Sequence, residues 1–328
     1  KGLNLQGGGL SIAGLADHDF PNIKLAAEMG ADFVAVSFVS NAADIENARE
    51  LLREAGSEAA LVAKIERMEA IENLSEICDA SDVIMVARGD LGVEIGDEEL
   101  PGLQKHIIRT AVRHNRITAT ATQMMQSMIE NPIPSRAEVL DVANAVLDGT
   151  DAVMLSAETA IGNHPVKVIE ALNRICLGAE RHFEAEGGDG SHLNVRFERI
   201  DQAIAMAAMF MATNVSVQAI VALTESGSTA QWLSRVQSSV PIFAFSTNKA
   251  SRRRMAIYRD VFPVKLTAEC DDADAVVSDA LRTLLAHGAV KENDRVLITM
   301  GDQMCRSGGT NTLRFVRLDA EARDRYGI

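Results

Sequence analysis

Lys64 and Glu66 stand two residues apart in the stretch Val62–Glu66 (VAKIE). On a β-strand both side chains leave on the same side, so an ammonium and a carboxylate face one space together. One helix and strand further on, Ile84–Gly92 (IMVARGDLG) runs from β-prone apolar residues into Arg88, Gly89 and Asp90. Glu66 and Asp90 then close neighbouring strands. Two carboxylates that near raise each other's pKa unless a cation lies between them. Magnesium, held by one or two carboxylates plus substrate oxygens, meets that need. The alternative is that Lys64 bridges the two acids as a structural ion pair.

Other strand ends carry further candidates. Gly89 and Gly92 let backbone approach a ligand closely. Gly96–Leu100 (GDEEL) suits a helix start, which places free N–H groups near the strand end, ready for a carboxylate or phosphate. Thr122 follows Ile117–Ala121 (ITATA), where a hydroxyl can donate, accept or position a water. Ser156 and Glu158 (LSAET) repeat the Lys64/Glu66 spacing and could orient a water chain or pack at a subunit contact.

These residues need elements that bring them together. Phe33–Phe38, Leu61–Ile65, Val83–Ala87, Ile117–Ala121 and Ala152–Leu155 read as strands, separated by helical patterns such as Asp44–Glu54 and Leu103–His114. Strands alternating with helices predict parallel βα units, and continuous apolar runs suit strands covered on both faces. In a barrel of parallel strands the polar ends converge on one face. Five units do not close an eight-stranded barrel, so the expectation is a partial TIM-type barrel over residues 1–183. The acidic, glycine-rich segment 184–192 (EAEGGDGSH) reads as a linker. Beyond it a helix, Asp201–Asn214, and strands at Ala219–Leu223, Ile242–Ser246, Phe262–Leu266, Val296–Met300 and Leu313–Leu318 predict a small doubly wound α/β domain over 193–328. Met206, Met209 and Met211 read as core filler.

Bulk properties narrow the classes. The 328 residues carry a formal net charge of −14, which argues against nucleic acid and membrane surfaces as partners. An anionic ligand would have to be drawn by local cations, metal or helix N-termini. No run of 18 apolar residues occurs, and the four cysteines are scattered without ligand-like spacing, which fits a reduced cytoplasm. On the strand-end residues alone, a magnesium-dependent lyase or aldolase acting through an enolate and a non-catalytic effector-binding or assembly module stand beside a phosphotransferase.

The stretches VAKIERMEA, IMVARGDLGVEI, ATATQMMQSM, NPIPSRAEVLDVANAVLDGTDAVMLSAETA and the opening KGLNL resemble the pyruvate kinase family, in family order and over nearly the whole chain. The resemblance implies an eight-stranded βα barrel with a lid inserted after its third strand and a C-terminal α/β domain. It implies phosphoryl transfer from phosphoenolpyruvate to ADP, giving pyruvate and ATP, with magnesium or manganese and usually potassium. Lys64 resembles the lysine that neutralises the migrating phosphoryl group, and Glu66 and Asp90 resemble the metal ligands. The backbone of Gly89 and Asp90 resembles the cradle of the substrate carboxylate, Thr122 the threonine beside the methylene carbon, and Arg136 an arginine at a subunit contact near the active site. Lys64, Thr122 and Ser156 are the catalytic candidates. The five strands resemble the family's fourth to eighth, so the potassium ligands and most ADP contacts are expected outside this chain, which is expected to be inactive alone.

In the second domain, Thr224, Glu225, Ser226, Gly227, Ser228 and Thr229 (TESGST) follow a strand and open a helix, an arrangement that makes an anion nest. The resemblance implies a sugar-phosphate or nucleotide effector there, with Gly309 of SGGTNT in the companion loop. Glu225 would repel a second phosphate, which favours a monophosphorylated effector. The resemblance also implies a homotetramer.

Overall fold

The computed structural model describes residues 15, 19–185, 197, 199–236, 238–269, 272–302 and 308–328. The chain divides into two compact units, Lys1–Ala185 and Glu186–Ile328. The opening KGLNL and residues 186–192 of the expected linker lie outside the described residues.

The first unit runs α1 (Asp19–Glu28), β1 (Phe33–Val36), α2 (Ala42–Glu54), β2 (Ala60–Ile65), α3 (Met68–Glu72), α4 (Leu74–Ala80), β3 (Val83–Ala87), α5 (Arg88–Ile95), α6 (Leu100–Arg113), β4 (Ile117–Ala121), a 3-10 turn (Gln126–Ile129), α7 (Arg136–Leu147), β5 (Ala152–Met154), α8 (Ala157–Ala160) and α9 (Pro165–Ala185). The five strands form one parallel sheet in chain order. All of β3 and β4 is buried, and in β2 only Lys64 is not. A continuous apolar strand with one partly exposed lysine at its end announces where solvent and ligand can enter.

Register carries the ends into line. Ile65 pairs with Val86 and Ala87 with Ala121, so Glu66, Arg88 and Thr122 are the residues that step off the carboxyl edge of β2, β3 and β4. The opposite edge is tied for stability. Asp82 accepts from the Leu61 N–H at 2.8 Å and from Arg49 at 3.1 Å, and Asp151 accepts from the Thr118 N–H at 2.8 Å. Division into a stabilising edge and a chemical edge is the habit of βα barrels. Helices α2 and α7 each begin with a capping box, Asn41 with Asp44 and Ser135 with Glu138, which satisfies orphan N–H groups locally.

One expectation is corrected. A helix, α6, does start at the end of Gly96–Leu100, but the one that follows β3 directly is a separate helix, α5. It starts at Arg88, directly on the strand end, and stops at Gly96, whose φ of 94° lies in a region that disfavours any side chain. Residues 96–99 are the turn between α5 and α6.

The second unit runs α10 (Ile200–Asn214), β6 (Ala219–Leu223), α11 (Ser228–Ser234), β7 (Ile242–Ser246), α12 (Lys249–Met255), β8 (Val261–Lys265), α13 (Ala273–Ala286), β9 (Arg295–Gly301), β10 (Thr310–Arg317) and α14 (Ala320–Tyr326). Its sheet has the order β10-β9-β6-β7-β8, with β10 antiparallel at one edge. The chain-order reversal lies between β6 and β9, the switch point at which open α/β sheets bind ligands. Met209 on α10 is buried against the sheet, as core filler should be.

Candidate active site

The carboxyl edge of β1 and β2 holds the first group of side chains. The Lys64 ammonium lies 2.6 Å from Glu66 Oε1 and donates to Ser37 Oγ at 2.8 Å. Glu66 Oε2 accepts the Phe38 N–H at 2.6 Å. Phe38 needs a φ of 55° to present that N–H, an uncommon backbone state for a bulky residue, and the Arg67 guanidinium sits over its ring at 5.3 Å. The Glu66 side chain is fully buried, and no hydrogen-bond donor is aligned on Oε1, so the Lys64 contact there is ionic. A buried carboxylate oxygen with one ionic partner and no aligned donor is a fitting ligand for a hard cation.

Asp90 reaches the same edge differently. It is the third residue of α5, in the first turn, where the helix dipole favours an anion. Since β2 and β3 are parallel and aligned, Glu66, one residue past β2, and Asp90, in the first turn of the helix that follows β3, lie at the same edge of the sheet. Among the described residues no cluster of three or more His, Cys, Asp and Glu side chains forms. A divalent ion held by Glu66 and Asp90 would take most of its coordination from other oxygens.

Thr122 is joined to α5. Its Oγ1 accepts the Gly89 N–H at 2.9 Å and donates to the Ala121 carbonyl at 2.6 Å. Thr122 and Gln123 both have left-handed backbones, with φ of 69° and 55°. Consecutive non-glycine residues in that region cost stability and persist only where surroundings over-determine them.

The surroundings do so through residues that the sequence did not single out for this role. Arg88, buried, donates to the Thr122 carbonyl at 2.8 Å, the Ala121 carbonyl at 3.3 Å and Met124 Sδ at 2.9 Å, and pairs with Asp141 of α7 at 2.7 Å. Glu158, also buried, takes the Met125 N–H at 3.1 Å on one oxygen and the Ser156 N–H at 2.8 Å on the other. Glu138 takes the Ser127 N–H at 2.6 Å as well as capping α7 through Ser135. Burial pushes the Glu138 carboxyl up, but the hydrogen bonds from Ser127 and Ser135 together outweigh it and leave it below the usual glutamate range. Glu158 and Glu138 thus fasten the loop that carries Thr122, and Asp141 anchors the arginine that holds its carbonyls.

In the second unit, Thr224 Oγ1 accepts the Gly227 N–H at 3.0 Å. Gly227, at φ 89°, opens α11, and a Cβ there would come within 2.9 Å of Met255. Glu225 accepts from Thr247 Oγ1 at 3.0 Å, which holds its carboxylate beside the loop. Ser228 Oγ reaches Asp201 at 3.5 Å, and Thr229 Oγ1 bonds Thr310 Oγ1 at 2.7 Å inside the unit. Ser226 is exposed, and Gly309 immediately precedes β10.

Comparison with known proteins reaches both units. The pyruvate kinase barrel domain matches residues 1–169, and the pyruvate kinase alpha/beta domain matches residues 202–316. The chain belongs to the pyruvate kinase family. It is 48% identical over 323 residues to pyruvate kinase II of Salmonella typhimurium, covering 97% of this chain and 67% of that one. Against the pyruvate kinase of Haemophilus influenzae it is 48% identical over 316 residues, 95% of this chain and 65% of that one. The Thermotoga maritima enzyme is 37% identical over 321 residues. This chain spans about two thirds of the length of these relatives.

Within this pyruvate kinase barrel, the structure brings Lys64, Glu66, Gly89, Asp90 and Thr122 to the carboxyl edge of the sheet, and Arg136 and Ser156 follow β4 and β5 with exposed side chains. Arg136 opens α7 with an exposed side chain. Ser156 stands at the N-cap position of α8 without a side-chain cap bond, its side chain exposed, and its backbone N–H donates to Glu158. Among the described residues, burial pushes the thiol of Cys78 up to about 12 and that of Cys176 to about 11. Among the described residues no helix is long and apolar enough to cross a membrane.

Proposed function

We propose that this chain supplies the phosphoenolpyruvate side of the pyruvate kinase reaction. The observation that carries the reading is the fully buried Glu66 carboxylate beside the Lys64 ammonium at the strand edge next to α5. Phosphoryl transfer asks mainly for positioning and charge stabilisation. The N–H groups of Gly89 and Asp90, at the start of α5, receive the substrate carboxylate. Lys64 faces the phosphoryl group and offsets its charge as the P–O bond breaks and the group passes to the terminal oxygen of ADP. The enolate left behind takes a proton at its methylene carbon on the Thr122 side and becomes pyruvate. Glu66 and Asp90 would hold magnesium or manganese, which when bound supplies positive charge to the phosphoryl oxygens. Arg136 acts at a subunit contact of a homotetramer, and Ser156 acts through solvent near the proton step.

In the second unit we assign the loop Thr224–Thr229, with Gly309, to a phosphorylated effector. Glu225, fixed by Thr247, supports a sugar monophosphate or nucleotide over a bisphosphate.

Calorimetry with two ligands tests the site. Lys64→Met should weaken phosphoenolpyruvate, in the presence of Mg²⁺, while leaving pyruvate binding nearly unchanged, because Lys64 is assigned to the phosphoryl group alone. Equal loss for both ligands, or none for either, would contradict the assignment.

A further inference from the structure

Two consecutive residues grip Phe38 at different points. Glu66 Oε2 takes its N–H at 2.6 Å, and the Arg67 guanidinium lies 5.3 Å from the centre of its ring. Arg67 is buried and also donates to Ser40 Oγ at 3.4 Å. Asn73 donates to the Ser40 carbonyl at 2.9 Å, and the Ser40 N–H goes to Asp44 at 2.8 Å. The turn after β1 is therefore pinned at Phe38 and again at Ser40.

The backbone explains what the pinning is for. Phe38 holds φ at 55°, a state that a bulky side chain keeps only under constraint. In that state its N–H meets Glu66, and the residue before it, Ser37, accepts from Lys64 at 2.8 Å. One oxygen of Glu66 is thus spent on the turn. The other, Oε1, has the Lys64 ammonium at 2.6 Å and no aligned donor among the described residues.

We propose that Arg67 is a positioning residue that, acting through Phe38, makes Glu66 a one-oxygen ligand and so sets the choice of cation. This rests on the assignment of Glu66 to a divalent ion above and deepens it. Magnesium demands near-ideal octahedral geometry, whereas calcium is larger and readily takes both oxygens of one carboxylate. With Oε2 committed to a backbone N–H, Glu66 has one oxygen to give. Released from Phe38, the same carboxylate turns and offers two. The arginine works by holding a strained residue. An effect of its charge alone would have the opposite sign, since a guanidinium disfavours a nearby cation.

Mn²⁺ binding read by electron paramagnetic resonance, and Ca²⁺ binding read by displacement of Mn²⁺, test this on wild type, Arg67→Met, Phe38→Gly and the double variant, with circular dichroism confirming each fold. Arg67→Met weakens Mn²⁺ about tenfold, the low end of what losing an outer partner of a metal ligand costs, and leaves Ca²⁺ no weaker. Preference for Mn²⁺ over Ca²⁺ therefore falls about tenfold. Glycine takes a positive φ without steric cost and keeps the N–H. Phe38→Gly accordingly binds Mn²⁺ within about threefold of wild type, and in that background Arg67→Met changes binding by less than about twofold. Phe38→Leu keeps the strained backbone but gives the guanidinium no ring. It repeats the loss seen in Arg67→Met, and takes its place if that variant does not fold. Mn²⁺ and Ca²⁺ weakened equally, or neither changed, would overturn the inference, as would tighter Mn²⁺ binding in Arg67→Met or the same loss in both backgrounds. A wild-type chain that binds no Mn²⁺ overturns the functional reading and this inference with it.

Discussion

Arg88 donates to the backbone carbonyl of Thr122 at 2.8 Å across 34 residues of sequence. With its bond to the Ala121 carbonyl and its ion pair to Asp141, it fixes the left-handed turn that presents the Thr122 hydroxyl. The Arg88 side chain is 8% exposed and that of Asp141 is 38% exposed. Removing the arginine strands buried carbonyls, whereas removing the acid leaves a guanidinium with its other acceptors. Arg88→Met should therefore cost about 2–3 kcal/mol of stability, and Asp141→Asn less than about 1 kcal/mol. Urea denaturation measures both, and the reverse order would contradict this account of the turn.

Glu158 makes the complementary tie from the other side of the loop. Glu158→Ala leaves the N–H groups of Met125 and Ser156 without their acceptor and should cost about 1–3 kcal/mol. Glu158→Gln keeps one carbonyl oxygen and should cost less. A Glu158→Ala variant as stable as wild type would show that the loop is held by other contacts.

The loop should also loosen in acid through Glu138. Its pKa is lowered on folding, so its contribution is fully present above the unfolded value near 4.3 and is lost as pH falls through the folded value. Wild type should lose stability below about pH 4 more steeply than Glu138→Gln. Parallel acid limbs in the two proteins would count against the bracing role.

Effector choice offers a separate check in the second unit. Glu225→Gln removes the negative charge beside the loop and should improve fructose 1,6-bisphosphate binding more than ribose 5-phosphate binding. A change of equal size for both sugars would show that Glu225 does not read the second phosphate.

Strands such as β2, β3, β6 and β9 were legible because they are largely apolar runs, whereas β10 begins with the polar Thr310–Thr312, ahead of the expected Leu313, and Lys64 and Glu66 were legible because period-two spacing needs no partner. The start of α5 was not. Gly89, Asp90 and Gly92 look like a loop by composition, and only the tertiary setting makes them the first turns of a helix. Phe38, Thr122 and Gln123 were equally opaque, since nothing in a phenylalanine, threonine or glutamine signals a positive φ. Arg88, Glu138 and Glu158 could be read as motif residues, but their bonds to Asp141, Ser127 and Met125 span loops that local pattern cannot foresee.

Mn²⁺ binding measured by electron paramagnetic resonance, on wild type, Glu66→Gln and Asp90→Asn with folding confirmed for each, tests the central claim most directly. The account predicts one strong site in wild type, weakened in each variant by more than the roughly 10- to 100-fold that losing an outer partner of a metal ligand costs. Wild-type affinity retained in either variant would contradict it.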